Sequence, residues 1–315
     1  MALFGANDHH PLAGARPAVA LGVFDGVHLG HRAIINVLLA AARKISAPAL
    51  AITFQPHPRA ALGRAAPPGI CSLDTRLRRL EEAGLDAIWL LPFTQELSRM
   101  SGRDFAGEFF HRRLAARAVV MGETASFGCG RDGNARSLSL WARDWDMRIL
   151  TAPALPIHGA IVSSTAIRLA VRTGDLRRAA EFLGRPFSLE GTVVRGQGRG
   201  RKLGFPTLNL DPHHELRPPP GVYLTRTRVA GQALPSLTNI GRPPTETEIE
   251  SGLSDFVIET HLLDFDANLY GQAVEVIFSE KIRDVMRFDR ESELARQVVG
   301  DINQARRWFA SHPED

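Results

Sequence analysis

Two domains in series are predicted: a doubly wound α/β domain over residues 1–183, then a small antiparallel β-barrel with a C-terminal helix over 184–315. Three observations predict this. Up to about residue 183, strand-like apolar segments alternate with helix-like ones, the pattern of a mostly parallel sheet. Beyond it the segments become short, β-rich and punctuated by glycine and proline, as in small antiparallel barrels and sandwiches. Between the two lies "EFLGRPFSLEG", where Gly184 ends a helix and Pro186 prevents its continuation. With 315 residues, each domain can bury its own core.

The elements follow in order. "PAVALGVF" (17–24) reads as a buried strand, and "HRAIINVLLAAARKI" (31–45) carries apolar residues at helical spacing. "ALAITFQ" (49–55) is a strand, "TRLRRLEEAG" (75–84) a charged helix and "AIWLLPF" (87–93) a strand. Ser101, with Asp104 three residues later, caps a helix through "FAGEFFHRRLAA". "AVVMG" (118–122) and "RILTAPAL" (148–155) add buried strands. In the second half "GVYLTRTRV" turns at Ala230-Gly231, "FVIETHLLDF" follows, and "ESELARQVVGDINQARRWFA" closes the chain as a helix.

Composition excludes several function classes. No stretch approaches the roughly 18 apolar residues needed to span a bilayer, and the N-terminus lacks the basic-then-apolar pattern of a signal peptide. Cys71 and Cys129 are too few for a disulfide framework and too far apart for a paired metal site, which points to the reducing cytoplasm. The net charge of +4 comes from scattered arginines with no basic run or aromatic ladder, so neither a nucleic-acid nor a membrane partner is expected.

"ALGVFDGVHLGH" (20–31) lies beyond the carboxyl end of a strand, where parallel sheets bind ligands. Gly22, Gly26 and Gly30 permit close backbone approach, and the helix that follows offers free N–H groups suited to phosphate. His28 and His31 would donate hydrogen bonds to oxygens whose charge grows in a transition state. A zinc site is the weaker reading, since no third ligand stands at a recognisable spacing. A plain turn is the third. "VSSTAIR" (162–168) is by itself an ordinary N-cap cluster at a second helix start, with Arg168 one turn in.

Together in one α/β domain these motifs resemble the Rossmann-like nucleotidyltransferase superfamily with His-x-Gly-His and Ser-Ser-Thr signatures. With "TFQPHPR" (53–59) and "FGCGRDGN" (127–134), the likeness is closer to the FMN adenylyltransferase half of bacterial bifunctional riboflavin kinase/FAD synthetases. The resemblance implies adenylyl transfer from ATP to FMN with release of pyrophosphate. It assigns catalysis to His28, His31 and Arg168, ATP contacts to Gly22, Phe24, Asp25, Gly30, Ser163, Ser164 and Thr165, and the flavin side to Phe54, His57, Pro58 and Phe127. FMN's phosphate is already ionised near neutral pH, so alignment and charge neutralisation suffice.

In the second half, "GTVVRGQGRGRKLGFPTLNL" (191–210) interleaves glycines with Arg199, Arg201 and Lys202, a pattern that can wrap phosphates, though it lacks the Gly-Lys-Ser/Thr ending of a Walker loop. Thr207 and Asn209 alternate onto one face of a short strand and offer two oxygens to a hard cation. With "GVYL", "NIG" (239–241), "ETHLLDFDANLYG" (259–271) and "KIRDVMRF" (281–288), this resembles the riboflavin kinase domain. The resemblance implies Mg²⁺ held with ATP by Thr207 and Asn209, ATP contacts from Gly198, Arg201 and Gly204, and Glu259 as the base for the riboflavin 5′-hydroxyl. A primary alcohol needs such a base.

Four departures from the family pattern stand out. Thr124 and Ala125 replace the usual acidic or amide residue and aromatic, Gln55 a glutamate, Pro243 an arginine and Val285 an acidic residue. They leave two alternatives: a riboflavin kinase with a weakened adenylyltransferase half, or a non-catalytic flavin-binding paralogue.

Overall fold

The apolar run at 18–21 becomes a fully buried strand in a computed structural model that describes residues 1–5, 14–63, 65–196, 198–241 and 256–313. Two units divide the chain: Met1–Pro68 with Leu73–Ser164, and Gly69–Ser72 with Thr165–Asp315. By contacts, the two helices before residue 184 therefore group with the barrel strands.

In the first unit six strands form one parallel sheet: β1 (Ala2–Phe4), β2 (Ala18–Leu21), β3 (Ala49–Gln55), β4 (Ala87–Pro92), β5 (Ala118–Gly122) and β6 (Arg148–Ala152). Their order is β1-β4-β3-β2-β5-β6, with every pairing parallel. Alternation along the strands gives the sheet two cores. Val19, Leu21, Leu50, Ile52 and Phe54 bury on one face, with Trp89, Phe105 and Phe110. Ala18, Ala20, Ala49 and Ala51 bury on the other, under Ile35 and Leu38 of α1 (Leu29–Lys44). Strand order reverses at β2, which is flanked by β3 and β5, so the loop after β2 opens at a switch point where α/β sheets bind ligands.

The charged helix α2 (Leu73–Glu82) crosses back toward β4. Ser101 does cap a helix: its hydroxyl accepts from Asp104 N at 3.1 Å. After Gly102–Phe105 that helix widens into a π-helix over Ala106–Arg113, which brings Phe109 and Phe110 into the core. β1 went unpredicted because three residues are too short for a period to register; it pairs with β4 from Ala2↔Ala87 onward.

The second unit carries α3 (Ser164–Thr173) from Thr165 onward, then α4 (Leu176–Leu183). Gly184 caps α4 at φ 70°, the left-handed turn expected there. Six strands follow: β7 (Ser188–Val194), β8 (Leu208–Pro212), β9 (Gly221–Val229), β10 (Gln232–Gly241), β11 (Val257–Leu262) and β12 (Ala273–Arg283). They close an antiparallel barrel in the order β7-β8-β11-β10-β9-β12. Ala230 and Gly231 turn the β9–β10 hairpin with φ of 47° and 87°, both left-handed as a tight hairpin turn requires.

α5 (Glu291–Ser311) covers one side of the barrel, packing Ile302, Ala305 and Phe309 on Val222, Leu224 and Leu237. Arg283 of β12 grips the buried Asp301 of α5 with Nε at 3.0 Å and Nη2 at 2.7 Å from Oδ2. The barrel strands also bury hydroxyls: Thr227, Ser236, Thr225, Thr238 and Thr260 form a continuous chain of hydrogen bonds of 2.8–2.9 Å. Ser236 donates onward to the Thr225 carbonyl at 2.9 Å, so each hydroxyl has a partner in an otherwise apolar setting.

Candidate active sites

The loop after β2 is tightly wound. Phe24, Gly26 and Val27 have φ of 53°, 80° and 41°, and a β-branched residue in that region is strained. The turn is closed by Val27 N–H donating to Phe24 O at 3.0 Å. The Phe24 ring folds back over Gly22, where a Cβ would lie 3.1 Å from it, and meets the His31 ring edge-on with centroids 5.3 Å apart.

His28 is buried and serves as the N-cap of α1, its Nδ1 accepting from His31 N at 3.3 Å. That bond makes Nδ1 an acceptor, so in the neutral ring Nε2 carries the proton and is the donor. The two imidazoles stack with centroids 3.5 Å apart. Gly30 fits closely between them: a Cβ there would sit 3.2 Å from the His28 ring and from Val162 O. Both histidines thus stand at a helix N-terminus whose free N–H groups favour an anion.

Ser163 directly precedes α3 and Ser164 begins it, and the Ser164 hydroxyl donates to Asp25 O at 3.3 Å. That bond joins the two motifs across 139 residues of sequence. Thr165 is exposed and Arg168 half-buried one turn along α3. Asp25 is buried and contributes its carbonyl to the joint.

At the end of β3, Phe54 is buried and packs edge-on against Phe93, so its ring belongs to the core. The Gln55–Pro56 peptide is cis, His57 caps the following short helix by accepting from Arg59 N at 3.2 Å, and Pro58 opens that helix. Phe127 is half-buried against Phe105 and Phe110. The glycines around it are packing glycines. A Cβ at Gly133 would lie 2.7 Å from the Phe127 ring, and one at Gly128 would overlap Gly102. Asp132 accepts from Gly102 N at 2.9 Å and pins this loop to the start of the earlier helix at Gly102–Phe105. Thr124 and Ala125 occupy a turn closed by Ala125 N–H to Gly122 O at 3.0 Å.

The barrel assembles a second candidate site. On β11, Glu259 and His261 are half-buried and alternate with the buried Ile258, Thr260 and Leu262. Glu259 pairs with Asn209 of β8 on one side and with Asn239 of β10 on the other. Directly opposed residues share a face, so Asn209, Glu259 and Asn239 form a polar row. Thr207 precedes Asn209 by two residues, and His261 Nδ1 lies 2.8 Å from Pro206 O. Gly196 and Gly200 of the glycine-rich segment pack against Asn209 and Thr207. A Cβ at Gly196 would overlap the Asn209 amide, and one at Gly200 would lie 3.0 Å from Thr207 Oγ1. Beside Thr207 a cleft is lined by Arg201, Thr260, Asp266, Asn268 and Tyr270. Gly198 and Gly204 adopt left-handed φ of 69° and 84° with open space around them.

The sequence marks Asn239 only as part of "NIG"; the register between β10 and β11 supplies its place. Pro243 lies outside the described residues, and Val285 is exposed after β12. No helix among the described residues is long and apolar enough to cross a membrane.

Comparison with known proteins bears on both sites. The FAD synthetase family profile matches residues 13–166, and the riboflavin kinase profile matches 183–309. The bifunctional riboflavin kinase/FMN adenylyltransferase of Escherichia coli K12 is 33% identical over 92% of this chain and 92% of its own. The same-named proteins of Haemophilus influenzae and Bacillus subtilis are 31% and 30% identical, each over at least 93% of both chains. A Streptococcus pneumoniae crystal structure titled a macrolide-efflux protein superposes with TM-score 0.84 and 27% identity, over 98% of this chain and 100% of its own.

Proposed function

The chain belongs to the bifunctional riboflavin kinase/FMN adenylyltransferase family, converting riboflavin to FMN and FMN to FAD, and we propose which residues carry each step. The boundary between the activities falls at 183/184: adenylyl transfer belongs to residues 1–183, phosphorylation to 184–315.

In the kinase step Glu259 accepts the proton of the riboflavin 5′-hydroxyl. The oxygen attacks the γ-phosphorus of ATP, and the bond to the departing ADP breaks. Asn239 and Asn209 flank Glu259 and orient the alcohol and the nucleotide. Thr207 and Asn209 would hold Mg²⁺. They are two neutral oxygen donors two residues apart, Thr207 just before β8 and Asn209 within it, a set suited to a hard cation that takes its remaining ligands from phosphate and water. When bound, the ion neutralises charge on the transferring phosphoryl group. Backbone N–H groups of Gly198 and Gly204, with Arg201, receive the ATP phosphates.

In the adenylyl step the FMN phosphate attacks the α-phosphorus of ATP and pyrophosphate leaves. This nucleophile is mostly dianionic at neutral pH and needs no base. His28 Nε2 and His31 donate to phosphate oxygens as charge grows on them. Ser163, Ser164, Thr165 and Arg168 receive the leaving pyrophosphate, and the backbone of Gly22, Phe24, Asp25 and Gly30 seats the nucleotide. The flavin lies toward Phe54, His57, Pro58 and Phe127, with the buried Phe54 contributing through its main chain. The substrates are small molecules of the cytoplasm, and no nucleic acid or membrane takes part.

One observation carries the reading: the helix start at His28–His31 and the one at Ser164 are joined by the close approach of Gly30 to Val162 O and by the Ser164 hydroxyl on the Asp25 carbonyl. The test is a chromatographic product assay on Glu259→Gln. It should make no FMN from riboflavin yet convert supplied FMN to FAD at the wild-type rate.

A further inference from the structure

Arg76 sits on α2, outside every motif named above, yet its side chain is only 6% exposed. Its Nη1 donates to Val23 O at 3.0 Å. Its Nη2 donates to Phe54 O at 3.0 Å and reaches Gln55 Oε1 at 3.4 Å. Val23 belongs to the loop that leads to His28, whereas Phe54 and Gln55 end the strand that leads to His57. One planar guanidinium therefore bridges the carboxyl-terminal ends of β2 and β3. Thr53, wholly buried, donates a second bond to the same Val23 carbonyl at 3.0 Å. The Val23–Phe24 peptide is thus held by two side-chain donors immediately before the left-handed Phe24, whose ring supports His31.

We propose that Arg76 is a positioning residue for adenylyl transfer, fixing the nucleotide-side loop and the flavin-side loop at one spacing through the Val23 and Phe54 carbonyls. The inference rests on the assignment of those loops to ATP and FMN. A rigid fork meets two carbonyls at a fixed separation, which the single ammonium of lysine on a flexible stem does not reproduce. The spacing sets the distance between the FMN phosphate and the α-phosphorus. Each ligand still binds its own loop when the bridge is lost, but the attack is misaligned. A displacement on the order of 1 Å can cost about 100-fold in rate.

The experiment compares wild type, Arg76→Met and Arg76→Lys in the full chain. Kinase rate, adenylyl-transfer kcat, and the separate ATP and FMN dissociation constants by titration calorimetry are measured. We expect Arg76→Met to keep its kinase rate and to bind ATP and FMN within about threefold of wild type, while kcat for FAD falls about tenfold or more. Arg76→Lys should recover part of that loss. A wild-type kcat in Arg76→Met overturns the proposal. So does a loss of ATP and FMN binding in step with kcat, which would make Arg76 ordinary packing. If Arg76→Met does not fold, Arg76→Lys decides on the same two readouts. A wild type that makes no FAD would instead sink the underlying assignment, whereas FAD made equally by wild type and Arg76→Met would sink the inference alone.

Discussion

The hydroxyl of Ser164 donates to the main-chain oxygen of Asp25 at 3.3 Å, joining the start of α3 to the wound loop after β2. A single hydrogen bond of this kind is worth about 1 kcal/mol, so Ser164→Ala should slow FAD formation from FMN about five- to tenfold. FMN formation from riboflavin should not change. Steady-state rates of both reactions on one preparation check this.

A methyl at Gly30 would lie 3.2 Å from the His28 ring and from Val162 O, tighter than ordinary contact. In Gly30→Ala the His28 ring gives way by a few tenths of an ångström, which loosens its cap on His31 N. Adenylyl transfer should fall about tenfold, with kinase rate intact. The same two assays decide.

Gly196 is the matching position in the barrel, where an added methyl would overlap the Asn209 amide. Gly196→Ala should therefore raise the Mg²⁺ concentration needed for half-maximal kinase activity and lower that activity about tenfold or more. The adenylyltransferase rate should be unaffected. Titration of each activity with Mg²⁺ checks both halves of the statement.

Much of this was legible in the sequence, because glycine, histidine and hydroxyl residues at fixed spacings mark turns and helix starts locally. His-x-Gly-His and Ser-Ser-Thr are complete within a few residues, and so is the alternation of Thr207 and Asn209. Asn239 was not legible in this way, since its place opposite Glu259 depends on strand register. Arg76 was hidden in a helix that reads as a solvated face. Its one signal is that it falls four residues before the buried Leu80, on the stripe that faces the sheet. The buried hydroxyl chain is equally opaque: nothing local in "GVYLTRTRV" marks Thr225 and Thr227 as wholly buried.

Burial holds the Tyr223 phenol well above its usual value of about 10, and the charge on Asp284 adds to the effect. The folded value is raised, so this stability is full below about pH 10 and is lost as pH rises toward the folded value. Tyr223→Phe removes that alkaline loss and, below it, costs about 1 kcal/mol for the bond to Pro219 O. Thermal unfolding from pH 8 to pH 11 should show the melting curves of the two proteins converging at the alkaline end. Parallel curves would contradict the assignment.

On our proposal, two independent sites on one chain act in sequence, one built on Glu259 and the other on His31. The most direct measurement supplies riboflavin, ATP and Mg²⁺ to Glu259→Gln, to His31→Ala and to an equal mixture of the two, resolving flavins by chromatography. We expect unchanged riboflavin with Glu259→Gln, FMN alone with His31→Ala, and FAD with the mixture. FAD formed by His31→Ala alone, or FMN formed at the wild-type rate by Glu259→Gln, would contradict it.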